Sequence, residues 1–395
     1  MDVNQRDLLT RGVTEVIDEK QLMARLAEGR PLRVKLGIDP TGPDLHLGHA
    51  VNLWKMRQFQ ELGHTAVLLI GDYTAAIGDP SGKNATRPPL TPEQIQENYA
   101  SYEEQAFKVL KRENVEVRRQ SEWYGDFKLH DIIKLLAQDS VGHVLSHETF
   151  RKRLENEDPF SAHELLYPFL QGYDSVALKA DVELGASEQK FNLLMGRTIQ
   201  KAYGQEPQDV VISPYLLGTD GKEKMSKSLN NYIGLQGEPT EMFGRVMSVR
   251  DDEIILYFTL ATPVPTEAIR EIEESMTDGM AARDAKLKLA ETITAVYWGE
   301  EEAAKAKEQF LSVFQKHETP EELLTHKMPR DEMPLAEVLA AAGLATSKSE
   351  ARRHIEQGAV YVDEERMSDP SATLDTSAPH TVRVGRRRMA RIERD

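Results

Sequence analysis

Two short segments carry side chains suited to phosphate chemistry. The first contains His46 and His49 with Gly48 between them, and the second contains Lys224 and Lys227. Imidazoles at the start of a helix can meet phosphate oxygens, because helix N-termini favour anions. Two lysines on a loop can stabilise the charge that develops on a leaving pyrophosphate. Together the segments predict nucleotidyl transfer from ATP, with these two histidines and two lysines as the catalytic residues.

Alternating strands and helices are predicted to position these segments. A short strand over Arg33–Gly37 leads through a turn into a helix from His46 to about Leu62, whose apolar residues recur near a 3.6-residue period. The unbroken apolar run Ala66–Ile70 is typical of a buried parallel strand. Further along, we predict helices opening at Thr91 and over Leu129–Ala137, Ala162–Gln171 and Glu188–Tyr203, with a strand over Val176–Leu184. This alternation predicts an α/β fold with a parallel sheet.

The pattern changes in the second half of the chain. Residues from about 239 to 316 are almost entirely helical in signature, and two Met-Pro pairs at 328–329 and 333–334 indicate a linker. The last stretch predicts a helix-turn-helix followed by short strands. We therefore predict three domains: 1–230, 231–325 and 333–395.

A polar stripe indicates a site for a small ligand. Tyr167, Gln171 and Asp174 are spaced four and three residues apart, so a helix would carry them on one face. Asp79 follows the Ala66–Ile70 strand and could pair with a substrate ammonium. These groups suit an amino acid, although a capped surface helix would also explain the stripe. The glycine-rich segment 71–83 does not match a P-loop, since three rather than four residues separate Gly78 from Gly82.

Composition limits the classes of partner. The net charge of -16 argues against general nucleic-acid binding, and the absence of cysteine excludes disulfides and thiolate metal sites. No apolar run reaches transmembrane length, and the first residues lack a signal-peptide core, so we expect a cytoplasmic protein without a membrane span. The segment 383–394 holds six arginines and one glutamate, which is compatible with docking one particular nucleic acid or with a solvated terminus.

At this point the motifs resemble a family. The segment 44–49 resembles the HIGH signature and 224–228 reads KMSKS, the pair that marks class I aminoacyl-tRNA synthetases. Segments 78–83 and 167–174 are similar to those of tyrosyl-tRNA synthetases, and 347–362 resembles an S4-type RNA-binding domain. The resemblance implies a Rossmann-like catalytic domain, an α-helical domain and a small α+β S4-like domain. It also implies a homodimer, with an inserted dimerisation region at about 90–160.

The resemblance implies that tyrosine is activated with ATP and transferred to the terminal adenosine of tRNA(Tyr). Mg²⁺ would accompany ATP without a dedicated protein metal site. The implied ATP-binding residues are Gly37, Asp39, Thr41, His46, Gly48, His49, Glu188, Lys224 and Lys227. The implied tyrosine-binding residues are Asp79, Tyr167, Gln171, Asp174 and Gln189. The expected RNA-binding residues are Lys348, Arg352, Arg353, Arg386, Arg387 and Arg388.

Two positions depart from the family pattern. Lys35 stands where many bacterial members have a tyrosine that bonds the phenol hydroxyl, and Glu188 stands where an aspartate normally reaches the ribose. We expect Glu188 to keep that role. Three alternatives remain open. A tryptophanyl enzyme should lack the Tyr167–Asp174 stripe, a small-molecule adenylyltransferase would need no RNA-binding terminus, and a non-catalytic RNA-binding paralogue would have lost a motif histidine or lysine.

Overall fold

The computed structural model describes residues 3–81, 92–315, 325–363, 365–385 and 388–394. The chain divides into two compact units, Met1–Glu308 and Gln309–Asp395. The predicted cap at Thr91, the end of the glycine-rich segment at 82–83, and the candidates Arg386 and Arg387 lie outside the described residues.

The first unit is built on a six-stranded sheet. Its strands are β1 Glu15–Ile17, β2 Arg33–Ile38, β3 Thr65–Ile70, β4 Val115–Arg119, β5 Val182–Ala186 and β6 Asp209–Ser213. The order across the sheet is β1-β6-β5-β2-β3-β4. All neighbours run parallel except β1, which is antiparallel to β6. The parallel α/β prediction is therefore confirmed, and the strand order reverses its direction of growth between β2 and β5.

Helices fill the connections between the strands. In chain order they are α1 Val3–Thr10, α2 Glu19–Ala27, α3 Leu47–Glu61, α4 Thr74–Ile77, α5 Pro92–Ala106, α6 Ser121–Tyr124, α7 Leu129–Leu136, α8 Val141–Leu145, α9 Glu148–Glu155, α10 Tyr167–Leu178 and α11 Lys190–Ala202. Short 3-10 turns at Ala162–Leu166 and Ser187–Gln189 precede α10 and α11. The predicted helix after His46 is confirmed. The segment predicted as a dimerisation insertion, 90–160, contributes strand β4 to the sheet.

The predicted strand over Val176–Leu184 is wrong. The helix α10 continues through Leu178, and the strand begins only at Val182. Val176 and Leu178 are buried as the apolar face of that helix, and Lys179 ends it in a left-handed conformation with φ 49°. An apolar run that crosses a helix end cannot be divided by periodicity alone.

The region from 239 to 315 is helical, as predicted. Its helices are α12 Pro239–Met247, α13 Ile254–Ala261, α14 Thr266–Thr277, α15 Ala282–Trp298 and α16 Glu300–Gln315. No helix among the described residues is long and apolar enough to cross a membrane.

Beyond the end of α16, the described residues of the second unit form two helices and two small sheets. Its elements are β7 Thr325–Met328, β8 Glu332–Pro334, α17 Leu335–Ala341, α18 Lys348–Glu356, β9 Val360–Val362, β10 Glu365–Met367, β11 Thr373–Asp375, β12 His380–Val384 and β13 Arg388–Arg394. The five-stranded sheet has the order β10-β9-β12-β13-β7, and β11 pairs with β8. Buried residues of α17, α18 and the larger sheet form one core, so the predicted α+β terminus is confirmed.

A buried lysine joins the N-terminal helix to α3. The Lys55 ammonium donates to the carbonyl oxygens of Leu8 and Arg11 at 2.9 and 2.6 Å, and to the Gln58 side chain at 2.6 Å. The Arg11 guanidinium in turn donates to the Thr262 carbonyl oxygen, just beyond α13, at 2.8 Å. These bonds connect α1, α3 and α13.

Replacement of Lys55 by methionine should change how stability depends on pH. Burial lowers the pKa of Lys55 to about 7, so unfolding takes up a proton between this value and the ordinary lysine pKa. The free energy of unfolding of wild type, relative to that of Lys55→Met, should therefore be largest at pH values above the pKa of Lys55 in the unfolded chain. It should fall towards pH 7, with a slope of at most about 1.4 kcal/mol per pH unit. Chemical denaturation at several pH values measures this difference. The exposed Lys288→Met variant is the control, and a difference that does not vary with pH for Lys55→Met would contradict the assignment.

Candidate active site

The candidate site lies at the carboxyl edge of the six-stranded sheet, where the strand order changes direction between β2 and β5. Loops after β2, β3 and β5 carry Asp39, Asp79 and Glu188, and Gly37 lies near the end of β2. Thr41 is exposed in the turn after β2. The crevice at such a switch point is where open parallel sheets bind ligands.

The two histidines of the first motif cap helix α3 and contact each other. The His46 ring Nδ1 accepts from the Gly48 backbone N–H at 3.2 Å, and the His49 ring Nδ1 accepts from the His46 backbone N–H at 3.2 Å. Their ring centroids are 3.9 Å apart. A Cβ on Gly48 would lie 2.9 Å from the His46 ring, so the glycine makes room for the cap.

Both histidines are neutral at physiological pH. Burial lowers the pKa of His46 well below its usual range, and the charges of His49, Lys227 and Lys224 act in the same direction. Burial and the same two lysines lower the pKa of His49 to about 3. The imidazoles can therefore form hydrogen bonds to phosphate oxygens, while the positive charge comes from the lysines.

The KMSKS segment, residues 224–228, is anchored to its surroundings. Met225 is buried, and its backbone N–H donates to the Leu216 carbonyl oxygen at 2.9 Å. The Asn231 side chain accepts from the Ser226 backbone N–H at 2.8 Å. These bonds hold the segment against Leu216 and Asn231.

Backbone hydrogen bonds join the histidine motif to the chain that follows the KMSKS segment. The Leu47 N–H donates to the Ile233 carbonyl oxygen at 2.9 Å, and the Leu235 N–H donates to the Leu45 carbonyl oxygen at 3.0 Å. The chain that follows the KMSKS segment therefore runs alongside the start of α3.

The two motif lysines reach different loops of the crevice. The Lys224 ammonium forms an ion pair with Glu188, which lies just after β5. Burial lowers the pKa of Lys224, and the negative charge of Asp79 opposes this shift. The Lys227 Nζ lies 3.2 Å from where a Cβ on Gly42 would be, in the turn after β2. Positive charge is therefore present on both sides of the crevice.

Asp174 lies buried on α10 beneath the crevice. It accepts from the Gln120 side-chain amide at 2.7 Å and from the Trp123 indole N–H at 3.2 Å. Burial raises the pKa of Asp174 to about 7. The two hydrogen bonds therefore orient the carboxyl group of Asp174. Because its pKa lies near neutrality, nearby charged groups can change its ionisation.

Gln120 is a site residue that the sequence reasoning missed. Its side-chain oxygen accepts from the backbone N–H groups of Tyr73 and Thr74 at 3.0 and 2.9 Å, while its amide donates to Asp174. Gln120 thereby fixes the turn after β3 against α10. The only signal in the sequence is a polar residue directly after the Val115–Arg119 strand, at the carboxyl edge of the sheet.

Asp39 and Tyr167 meet in the structure. The Tyr167 hydroxyl donates to Asp39 at 2.9 Å, and the Thr74 hydroxyl donates to the other carboxyl oxygen at 2.6 Å. Burial raises the pKa of Asp39 to about 7. A Cβ on Gly71 would lie 2.2 Å from this carboxyl, so only glycine leaves it space. The residues assigned to ATP and to tyrosine thus form one continuous network.

Asp79 is linked to the loop after β5. It accepts from the Gln189 side-chain amide at 2.5 Å and from the Ser81 hydroxyl and backbone N–H, both at 2.8 Å. The Gln189 amide also donates to the Ser81 hydroxyl at 2.7 Å. The structure therefore brings together the predicted residues Asp79 and Gln189.

Gln171 is held from below by charged residues on β2 and β5. Its side-chain amide donates to Glu183 at 3.3 Å, and its backbone carbonyl oxygen accepts from the Lys35 ammonium at 3.0 Å. Lys35 is fully buried. Sequence reasoning identified Lys35 as a departure but did not identify Glu183 as its partner.

The described RNA-binding candidates lie in the second unit. The exposed side chains of Lys348, Arg352 and Arg353 project from α18. Lys348 pairs with Glu337 at 2.6 Å. Arg388, at the start of β13, is exposed. These cations belong to the second unit, and the crevice residues belong to the first.

Two models of known protein families together match residues 27–383 of the chain. The model described as class I tRNA synthetases (W and Y) matches residues 27–315. The model described as the tyrosine–tRNA ligase SYY-like C-terminal domain matches residues 316–383.

Similar proteins and structures agree with these models. The chain is 48% identical to the tyrosine–tRNA ligase of Carboxydothermus hydrogenoformans, over 98% of this chain and 97% of the relative. It is also 48% identical to that of Thermotoga maritima, with the same coverage. The fold resembles a C-terminally truncated mitochondrial tyrosyl-tRNA synthetase from Aspergillus nidulans, with a TM-score of 0.69, 22% identity and coverage of 80% of this chain and 95% of that one. The tyrosyl-tRNA synthetase of Archaeoglobus fulgidus, solved with L-tyrosine, gives a TM-score of 0.62 at 22% identity, covering 78% of this chain and 100% of that one. The chain belongs to the tyrosine–tRNA ligase family of class I aminoacyl-tRNA synthetases.

Proposed function

We propose that the crevice performs both steps of tyrosine–tRNA ligation with the residues described above. The observation that carries the proposal is the pair of backbone hydrogen bonds between the histidine motif and residues 233–235, which follow the KMSKS segment. The two motif lysines act on the neutral His46 and reach the turn after β2 and the loop after β5. Catalysis of this kind requires positioning and electrostatic stabilisation, without a covalent enzyme intermediate.

In the first step, an oxygen of the tyrosine carboxylate attacks the α-phosphorus of ATP. A carboxyl–phosphate bond forms, the bond to the bridging oxygen breaks, and pyrophosphate leaves with the bonding electrons. His46 and His49 donate hydrogen bonds to the phosphates, while Lys224 and Lys227 stabilise the charge of the transition state. In the second step, a hydroxyl of the terminal adenosine of tRNA(Tyr) attacks the tyrosyl carbonyl, and AMP leaves.

In this proposal, tyrosine and ATP bind to different residues of the crevice. Asp174 accepts a hydrogen bond from the phenol hydroxyl of the substrate tyrosine. The ammonium group of that tyrosine lies among Asp79, Tyr167 and Gln171. Gln189 orients Asp79 through their hydrogen bond. For ATP, the sites are Gly37, Asp39 and Thr41 after β2, His46, Gly48 and His49 at α3, and Glu188, Lys224 and Lys227.

Mg²⁺ enters with ATP in this proposal, held by phosphate oxygens. Such binding suits a cation that keeps several of its waters. Among the residues that the structure describes, no group of three or more His, Asp or Glu side chains is arranged to hold a metal ion.

The second unit is proposed to bind tRNA(Tyr). The exposed Lys348, Arg352, Arg353 and Arg388 would contact phosphates. We propose an S4-like mode for this unit and a cytoplasmic location for the enzyme, which suits a chain without cysteine.

We also propose that the enzyme is a homodimer. Helices α7 and α8 expose Leu129, Ile133 and Val141, whose exposed fractions are 75%, 60% and 64%. Exposed apolar groups that lie close along the chain on a folded surface favour an interface. The segment is part of the region 90–160 that the sequence assigns to dimerisation.

Exchange of labelled pyrophosphate into ATP tests the activity. Wild-type protein should catalyse exchange with tyrosine and not with the other amino acids, because Asp174 needs a hydroxyl donor at the end of the substrate ring. Phenylalanine is the matched control, since it differs by that hydroxyl alone. Exchange with tryptophan only, or with no amino acid, would overturn the proposed function.

Replacement of Lys227 by alanine should lower the rate of activation without weakening tyrosine binding. Because the lysine acts on charge that develops in the transition state, kcat should fall by about 10²- to 10³-fold. The KM for tyrosine should change little. Lys222→Ala is the matched control, since Lys222 is exposed on the same loop outside the motif. Equal kinetics of the two variants would contradict the role of Lys227.

Replacement of Ile133 by glutamate should convert the dimer to a monomer. A charge placed at the centre of an apolar interface is desolvated on association, which weakens binding by several kcal/mol. Sedimentation velocity measures the change. Met280→Glu is the control, because Met280 is an exposed apolar residue outside the proposed interface. A monomeric wild type, or a dimer of Ile133→Glu as stable as wild type, would contradict the interface.

A further inference from the structure

A buried ion pair lies between the two central strands of the sheet. Lys35 of β2 and Glu183 of β5 are direct neighbours in the strand register. The Lys35 Nζ and a Glu183 carboxylate oxygen are 2.8 Å apart, and the side chains are 0% and 1% exposed. The pair therefore occupies the centre of the sheet at the switch point, directly below the crevice.

The same pair is bonded to helix α10 on both sides of Asp174. The Lys35 ammonium also donates to the Gln171 carbonyl oxygen at 3.0 Å and to the Ser175 hydroxyl at 2.9 Å. Glu183 accepts from the Gln171 amide at 3.3 Å and from the Ser175 hydroxyl at 3.2 Å. The ion pair therefore fixes Gln171, three residues before Asp174, and Ser175, one residue after it.

Stability alone gives a poor account of two charges at this place. Their neighbours along the strands are apolar and buried: Val34, Leu36, Val182 and Leu184. Replacing a buried ion pair by apolar residues is often neutral or stabilising, because desolvation offsets the attraction. A role in the adjacent pocket explains why the charges are present.

The charge of Asp174 depends on this pair. Burial raises the pKa of Asp174, whereas the positive charge of Lys35 lowers it and the negative charge of Glu183 raises it. The other titratable neighbours are Tyr124 from α6, which lowers the pKa of Asp174 and donates its hydroxyl to the Leu170 carbonyl oxygen, and Tyr167 on the same helix. Lys35 is the cation among the groups that act on this carboxyl.

We propose that the Lys35–Glu183 pair is a positioning and specificity element of the tyrosine pocket: it fixes α10 around Asp174 and supplies the positive charge that favours the carboxylate as acceptor of the phenol hydroxyl. This inference rests on the proposed role of Asp174. Lys35 acts through Asp174 and Gln171, and does not itself touch the substrate.

Two variants isolate the charge of Lys35. Glu183→Gln keeps the lysine and removes the opposing negative charge, whereas the double variant Lys35→Met with Glu183→Gln removes both. Both carry glutamine at 183, so they differ only at residue 35. Methionine is close to lysine in length, and the double variant leaves no buried charge unpaired, which protects the fold. Circular dichroism verifies folding of each.

The readout is the pH dependence of tyrosine-driven ATP–pyrophosphate exchange. The acid limb of kcat/KM for tyrosine should move to lower pH in Glu183→Gln and to higher pH in the double variant. A separation of about one pH unit corresponds to a tenfold change in the ionisation of one carboxyl. At neutral pH the double variant should have a raised KM for tyrosine with little change in kcat, and a reduced preference for tyrosine over phenylalanine. Asp39 also titrates near neutrality, but Lys35 is not among the groups that shift its pKa, so its contribution is common to the variants.

A second buried ion pair provides the control. Arg25 and Asp209 are 3.3 Å apart, and their side chains are 3% and 0% exposed. Asp209 begins β6, at the end of the sheet opposite the crevice. Arg25→Met with Asp209→Asn should leave the pH profile and the tyrosine preference unchanged. Coincident pH profiles in wild type, Glu183→Gln and the Lys35 double variant would overturn the proposal. Failure of wild type to exchange with tyrosine would instead contradict the proposed function itself.

Discussion

The crevice depends on one constraint: each carboxylate that is buried at the edge of the parallel sheet needs hydrogen-bond donors from the protein. An unpaired buried charge costs several kcal/mol, which is a large share of the stability of a domain. The structure meets this constraint by pairing each carboxylate with donors from other elements. The pairs are Asp174 with Gln120 and Trp123, Asp39 with Thr74 and Tyr167, Asp79 with Gln189, and Glu183 with Lys35. As a result, the groups proposed to bind substrate are also the groups that hold the loops of the crevice together.

Local signals in the sequence predicted much of this arrangement. The helix at His46 was predictable because its cap, its glycine and its apolar period lie within a few residues of one another. The same is true of the parallel strand β3, whose apolar run is uninterrupted, whereas the apolar run of β2 is interrupted by Lys35. The pairing of the two motifs could be expected only from chemistry, since 175 residues separate them, but each motif was recognisable by itself.

Features that depend on register between distant strands could not be predicted. Lys35 and Glu183 are adjacent only because β2 pairs with β5, and the end of α10 was placed wrongly because Val176 and Leu178 are apolar in either a helix or a strand. Gln120 was missed for a related reason. Its importance comes from four hydrogen bonds, three to Tyr73 and Thr74 and one to Asp174, which no local sequence pattern reveals.

The backbone bonds between Leu45–Leu47 and Ile233–Leu235 have an evolutionary consequence. They fix the two motifs by alignment of adjacent chains and not by the number of residues between them. Surface loops along the intervening chain are therefore free to lengthen or shorten among relatives without disturbing the chemistry. A single residue gained or lost between Ser228 and Ile233 would instead slide the lysines past the histidines. Insertions and deletions should therefore be tolerated unevenly along this chain. They should be tolerated least between Ser228 and Ile233, although none of the proposed catalytic side chains lies there.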